Sequence, residues 1–549
     1  MNAAELVAEI LKREGTKFLS CYPRNALIEA GAKIGIRPIL CRQERVGVGI
    51  ADGYTRIKRG TVNGVFAAQA GPGIENAFPG VAQAFAENVP ILVLPGGAGL
   101  GRQNQHPTFS AVDVFRPITK MAARAHSVQE LPTLLRKAYH AMRTGKGGPA
   151  LIEIPVEVWG QEFKGQLEYE PVQPLRVAPD PIAVKQAAKI LVEAKHPLLW
   201  AGQGILYAGA SDALIELAEL LVAPVMTTNP GKSSFPENHP LALGASTRSR
   251  PRMLVEQMGL ADVVCAIGSS LTKTPFGPGI PADKRVIHAT NDAADINKDY
   301  RSEIGLVGDA VLVLEGLITE IRALTGGPDA TKFNILTTQI ATVKKKWKAD
   351  WKSQFISDEA PINQYRIIGD LMSAVDPGDV IITHDSGSPR EQQLPFWEST
   401  SPGSYLGWGK STQLGYGLGI NIGAKLAAPD KLCINIMGDS AIGMTGMDLE
   451  TAARYGIGIL TIVFNNGVMA AERDVLIEAD EKYGAMKVGG NYSVVAEGLG
   501  VASLRVEKPD DFLPALDGAK KITASGAPFL IECMVKEGYE FSRDALPGL

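Results

Sequence analysis

Short apolar runs alternate with longer amphipathic segments along almost the whole chain. GVFAAQ, PILVLPG, ALIEIPV, PLLWAGQ, PVMTT, VVCAIGSS, RVIHAT, DVIITHDS, KLCINIMGD, ILTIVFNN and FLIECMV read as strands. Gly, Pro, Asn and Asp bound them, the residues that turn a chain or end an element. Between them, segments such as LPTLLRKAYHAMRTG and SDALIELAELLVA repeat apolar residues at helical spacing. Strand and helix in regular succession form parallel sheets covered by helices on both faces. The expected class is α/β, with doubly wound parallel sheets.

Two stretches interrupt this rhythm. Residues 160–181 are polar and rich in Pro, and residues 326–361 run from GGPDA through the basic, Trp-containing VKKKWKADWK to APIN. They divide the chain into units 1–160, 182–325 and 360–549, in keeping with a length of 549 residues and the usual domain size of roughly 150. No short-period repeat or low-complexity tract is present. The net charge of −4 gives no electrostatic case for nucleic acid or an anionic membrane as partner. Five scattered cysteines, an odd number without a C-x-x-C pair, read as reduced core thiols of a cytoplasmic protein. The N-terminus lacks the apolar core of a signal peptide, and no run reaches membrane-spanning length.

The candidate chemistry begins at GDSAIGMTGMDLETAARYGIGILTIVFNN. Asp439 follows a buried-strand run, so it belongs at the carboxyl end of a parallel strand, where open α/β sheets bind ligands. A helix and a second strand then lead to Asn465 and Asn466. Neighbouring strands would bring Asp439 and Asn466 together. A carboxylate, an Asn carbonyl, a backbone carbonyl and phosphate oxygens suit Mg²⁺, and Gly438 and Gly467 let the backbone approach a phosphate. Read singly, each of these residues is ordinary turn chemistry.

GDS, then the 24 residues Ala441 to Phe464, then Asn465–Asn466 resembles the signature of thiamine diphosphate enzymes. The resemblance implies Mg²⁺ held by Asp439, Asn466 and the backbone oxygen of Val468, with Gly387, Ser388, Ser440, Ala441 and Met469 about the diphosphate. RPILCRQERVGVGIADGYTR, a short strand followed by Glu44 and a helix rich in small residues, resembles the acetolactate synthase group. There the acid, here Glu44, hydrogen-bonds the cofactor pyrimidine and promotes loss of the thiazolium C2 proton, a role that needs a partly desolvated carboxyl. Without that resemblance, Glu44 is a helix N-terminal acid favoured by the dipole. QAGPGIENAF resembles the loop that lines the pyrimidine pocket, through Gly71, Pro72 and Asn76. STQLGYGLGINIGAKLAAPD places Leu414 where relatives prop the cofactor into its bent shape. The implied fold has a pyrimidine-binding, a central and a diphosphate-binding domain. In relatives the central one binds FAD, ADP or nothing, and without a G-x-G-x-x-G fingerprint no tightly bound nucleotide is expected.

The choice of reaction rests on fewer residues. Arg24 and Asn25, in FLSCYPRNAL, stand where relatives face the reactive ring, and an Arg there could pair with a substrate carboxylate. His106 lies in a loop that carries polar site groups in the family. Glu472, seven residues after Asn465, matches a catalytic Glu of pyruvate decarboxylase; otherwise it is a solvated acid pairing with Arg473 or Lys482. GDSA followed by GM-x-x-E-T-type spacing is similar to oxalyl-CoA decarboxylases and 2-hydroxyacyl-CoA lyases. The resulting expectation is a C–C lyase, carboligase or decarboxylase using thiamine diphosphate and Mg²⁺ on a 2-oxo acid. The alternatives are an acyl-CoA enzyme of those two kinds, and a thiamine-fold protein that binds without turnover. The resemblance further implies a homodimer or homotetramer whose sites join the first domain of one subunit to the third domain of another, with Gly47, Gly49 and Ala51 allowing close packing of the Glu44 helix.

Overall fold

The computed structural model describes residues 1–275 and 277–543. It contains three six-stranded sheets in which every strand pair is parallel. The first sheet runs, edge to edge, Arg37–Leu40, Phe18–Cys21, Val65–Ala68, Leu92–Gly97, Ala150–Pro155 and Met121–Arg124. The third repeats that order of connection: Tyr405–Leu406, Val380–His384, Leu432–Gly438, Ile459–Asn465, Phe529–Met534 and Ala502–Val506. The second is Ile304–Val307, Arg285–Thr290, Val263–Ile267, Pro197–Ala201, Val225–Thr228 and Ala242–Ser246, the 3-2-1-4-5-6 order of doubly wound dinucleotide folds.

All eleven apolar runs are strands, because each is buried on both sheet faces and must be apolar throughout. Helices cover both faces. The Phe512–Ala524 helix buries Phe512, Ala515, Leu516 and Ala519 on one side of the third sheet, and the Tyr416–Ala427 helix buries nearly every residue on the other. The five cysteines are buried free thiols. Among the described residues no helix is long and apolar enough to cross a membrane.

Residues 163–180 run without helix or strand, whereas Ala330–Phe355 forms one 26-residue helix. That helix buries Trp347 against Phe396, with rings stacked 4.5 Å apart, and so belongs to a core shared by the second and third sheets.

The first and third sheets meet through two helices, Glu44–Ile57 and Tyr416–Ala427. Their backbones touch. A Cβ on Gly423 would stand 2.1 Å from the Ile50 carbonyl oxygen, and one on Gly53 2.1 Å from the Ile420 oxygen. Of the small residues expected to serve a subunit contact, Gly49 instead faces Gly419 of the same chain. Gly47 lies under Phe66, and Ala51 meets Gly64, both within the first domain.

Candidate active site

In an open parallel sheet, the strand order reverses at one point, and the loops leaving the two strands there part to form a crevice. In the third sheet that point lies between Val380–His384 and Leu432–Gly438. The first strand delivers Asp385, Ser386, Gly387 and Ser388; the second delivers Gly438, Asp439, Ser440 and Ala441. Gly438 stands opposite Phe464 in the register with Ile459–Asn465, so Asp439 and Asn466 leave adjacent strand ends.

Asp439 is buried and held by backbone donors. One oxygen accepts from Ser440 N (2.7 Å), the other from Asn466 N (3.1 Å) and Gly467 N (2.8 Å). Burial pushes its pKa up, and these N–H groups oppose the shift. The Asn466 side-chain oxygen Oδ1 accepts from Val468 N at 3.1 Å. Asn465 points elsewhere, donating to Glu532 (2.7 Å) and the Gly490 carbonyl (3.2 Å). A Cβ at Gly387 or Gly438 would meet nothing within 4 Å, so open space lies before both strand ends. Beside it, the buried Ser386 hydroxyl has no partner. Gly467 has φ +71°, the conformation that turns Val468 and Met469 back over the strand end. Met469 N bonds the Met486 carbonyl at 2.9 Å.

Glu44 is the first residue of its helix and is buried. Burial raises its pKa above the ordinary 4.5, with the Asn76 side chain as a hydrogen-bond partner that opposes the rise. Asn76 comes from the helix that begins at Pro72 after Gly71, whose φ of +64° makes the sharp entry. One residue on from Glu44, the Arg45 guanidinium donates to the Leu414 carbonyl. Arg42 N donates to Asp448, 2.7 Å away. The N-terminal acid and the loop bearing Leu414 are therefore neighbours within one chain.

Other candidates fall differently. Asn25 caps the helix Ala26–Lys33, and its amide donates to the Ala68 and Leu94 carbonyls, each at 2.9 Å. Its oxygen accepts from Leu27 N. These bonds make it a fastener of the first sheet, with no donor left for a substrate. Arg24 and His106 are exposed. Glu472 is half-buried, and neither pairing considered for it forms: Arg473 meets Glu537, and Lys482 meets Glu478.

Residues 1–116 match the thiamine pyrophosphate enzyme N-terminal TPP binding domain, and residues 184–317 match the thiamine pyrophosphate enzyme central domain. Residues 385–533 match the C-terminal TPP binding domain. The chain belongs to the thiamine pyrophosphate enzymes. It is a thiamine diphosphate-dependent enzyme of carbon–carbon bond chemistry, in the acetolactate synthase group. The probable acetolactate synthase large subunit of Methanocaldococcus jannaschii is 29% identical, over 97% of this chain and 92% of its own length. The Haemophilus influenzae acetolactate synthase large subunit is 26% identical, over 95% and 92%. Isozyme 3 of Escherichia coli is 26% identical over 93% and 90%.

The residues present suit the cofactor of thiamine pyrophosphate enzymes. Among the described residues no three His, Cys, Asp or Glu side chains gather as a metal cage. Asp439 with the Asn466 carbonyl is instead a partial oxygen shell, of the kind that phosphate oxygens complete around Mg²⁺. The open space before Gly387 and Gly438 and the unpartnered Ser386 hydroxyl suit a diphosphate.

Sequence reading passed over Asp385, although HDS ends a strand much as GDS does. It is fully buried and accepts from Ser386 N (2.9 Å), Gly415 N (2.9 Å) and Gly417 N (3.0 Å). Burial pushes its pKa up to about 6. The central domain has a cavity of about 370 Å³ at its own strand-order reversal, lined also by Lys410 of the third domain and Lys146 of the first. Gly202, Gly204 and Gly268 bring two strand ends into backbone contact there. They come from two separate segments, so no single G-x-G-x-x-G appears.

Proposed function

We propose that the chain is an acetolactate synthase-like enzyme that uses Mg²⁺ with thiamine diphosphate and acts on a 2-oxo acid, by decarboxylation or carboligation. The supporting observation is the meeting, in one chain, of a buried acid at Glu44 with the Leu414 loop, on the same domain as the Asp439–Asn466 strand ends. Asp439, Asn466 and the Val468 carbonyl would hold the metal. Gly387, Ser388, Gly438, Ser440, Ala441, Gly467 and Met469 would surround the diphosphate, and Gly71, Pro72 and Asn76 the pyrimidine. Bound thiamine diphosphate supplies an electron sink beside the reacting carbonyl. Glu44, with its raised pKa, would share a proton with the pyrimidine N1′. Leu414 would pack against the bound cofactor. Glu472, bound to neither neighbouring cation, would hold or deliver a proton, and the exposed Arg24 and His106 would meet a carboxylate substrate.

The acyl-CoA alternative has the GDSA segment in its favour. The tail residue that could recognise a nucleotide, Arg543, is stacked 4.0 Å from the Phe541 ring centroid. Assaying purified protein with pyruvate, glyoxylate, oxalyl-CoA and a 2-hydroxyacyl-CoA, with cofactor and Mg²⁺, tests the assignment. Turnover of a CoA ester alone would overturn it.

The units 1–160, 182–325 and 360–549 are proposed as pyrimidine-binding, central and diphosphate-binding domains. A homodimer or homotetramer is also proposed; this chain brings its own Glu44 segment to its own Leu414 loop, and sites shared between subunits require the same contact to form between two chains. Mixing inactive Glu44→Gln with inactive Asp439→Ala subunits tests it. Shared sites restore activity in mixed dimers; sites within single chains do not.

A further inference from the structure

One peptide unit, Leu414–Gly415, is held at both polar ends by opposite charges. Its carbonyl oxygen accepts from the Arg45 guanidinium of the first domain, and its N–H donates to the Asp385 carboxylate of the third at 2.9 Å. The second Asp385 oxygen takes Gly417 N at 3.0 Å. Arg45 and Asp385 also attract each other directly. Gly415 has φ +85°, and a Cβ there would lie 2.6 Å from Thr445, so the turn has little room to relax. Thr445 donates to the Gly415 carbonyl at 3.0 Å. The wider loop is gripped by the first domain as well: Arg56 holds the Gly407 carbonyl (2.9 Å), and Glu87 accepts from Gly409 N (2.8 Å) and Lys410 N (2.6 Å).

We infer that Arg45 and Asp385 are positioning residues that lock the Leu414–Gly415 peptide, so that Leu414 is presented at a fixed height and moves as one body with the adjacent acid, Glu44. Charged groups make the stronger hydrogen bonds, and a peptide fixed at both ends cannot flip without breaking two of them. The hydrogen bonds of both side chains go to this loop and the neighbouring strand end, so each acts through Leu414. The inference rests on the reading of Glu44 and Leu414 given above.

The test uses Arg45→Met, which keeps length and removes the donors, Arg45→Lys, which restores one cationic donor, and Asp385→Asn. Amide hydrogen exchange of the cofactor-free protein reports on the lock itself. The peptide covering 411–417 is expected to exchange about tenfold faster, or more, in Arg45→Met and Asp385→Asn, with protection regained in Arg45→Lys. C2–H exchange of bound thiamine diphosphate should slow by a similar factor in both, while cofactor affinity in Arg45→Met, a residue of the first domain away from the diphosphate strand ends, stays near wild type. Tyr416→Phe loses a bond to Asp52 (3.0 Å) on the same loop but spares this peptide, so its C2–H exchange should match wild type. Wild-type amide exchange in both Arg45→Met and Asp385→Asn overturns the lock. Faster amide exchange with wild-type C2–H exchange, or equal slowing in Tyr416→Phe, overturns its role in placing Leu414. If wild-type protein shows no metal-dependent cofactor binding, the reading of the site fails, and the cofactor-free arm still decides the lock.

Discussion

Glu44 and Asp439 are both buried carboxylates that begin a helix, and burial raises the pKa of both, yet the donors that oppose the rise differ. Asp439 receives three backbone N–H groups from two strand ends, which fix both oxygens and favour the anion. Glu44 has the exposed Asn76 as its one side-chain partner and a desolvated setting that favours the protonated form. A pinned anion suits a cation. A desolvated carboxyl with a raised pKa and few donors suits proton sharing. The two proposed roles differ in how many donors each residue meets, since both are about equally hidden from solvent, at 5% and 4% exposure.

The largest expected effect comes from erasing the pinned charge. Asp439→Ala should weaken Mg²⁺-dependent thiamine diphosphate binding by at least about a hundredfold, since even partners of a metal ligand are worth 10–100-fold. Calorimetry with and without Mg²⁺ measures this, and an equal affinity in both conditions would break the comparison. Glu44→Gln should leave that affinity within a few-fold but slow C2–H exchange by about 10²–10⁴, the range of general acid–base catalysis. NMR of the acid-quenched cofactor reads it out.

A smaller effect separates fastening from chemistry at the mouth of the first sheet. Asn25→Ala should cost about 1–3 kcal/mol in denaturant unfolding, because two buried carbonyls lose their donor. Its C2–H exchange should be unaltered. The smallest effect concerns pH. The folded pKa of Glu44 lies above its unfolded value, so its contribution to stability is fullest below the ordinary value of 4.5 and is lost as pH rises through the folded pKa. Glu44→Gln removes that loss. Its Tm should exceed wild type at pH 8, and the gap should close on acidification toward pH 4.5. A gap independent of pH would show that Glu44 titrates as an exposed acid.

Much of this architecture was legible in the chain. Twelve strands could be read directly, the eleven apolar runs and the short one before Glu44. Of the six others, Met121–Arg124, Ala242–Ser246, Ile304–Val307, Tyr405–Leu406 and Ala502–Val506 are edge strands. An edge strand is short or open to solvent on one side and leaves no continuous apolar run. Phe18–Cys21 is internal, but its four residues precede a Pro-containing turn and read as a loop. The position of Asp439 at a strand end was equally local, because strand, Gly and Asp follow one another in sequence.

The sequence by itself determined the parallel α/β layers, the family motifs and the residue types at both ends of the site, because these depend on periodicity and short spacings. Only the tertiary structure decided what each polar group meets. The Asn25 amide spans the Ala68 and Leu94 backbone carbonyls of two neighbouring strands, 43 and 69 residues along the chain. Arg45 and Asp385 carried no motif, since their partners lie 369 and 30 residues away. The glycines of the Glu44 helix announced a close approach, but what they approach is set by long-range packing. A hydrogen bond needs both partners within about 3 Å, and for groups so far apart in the chain only the fold supplies that distance.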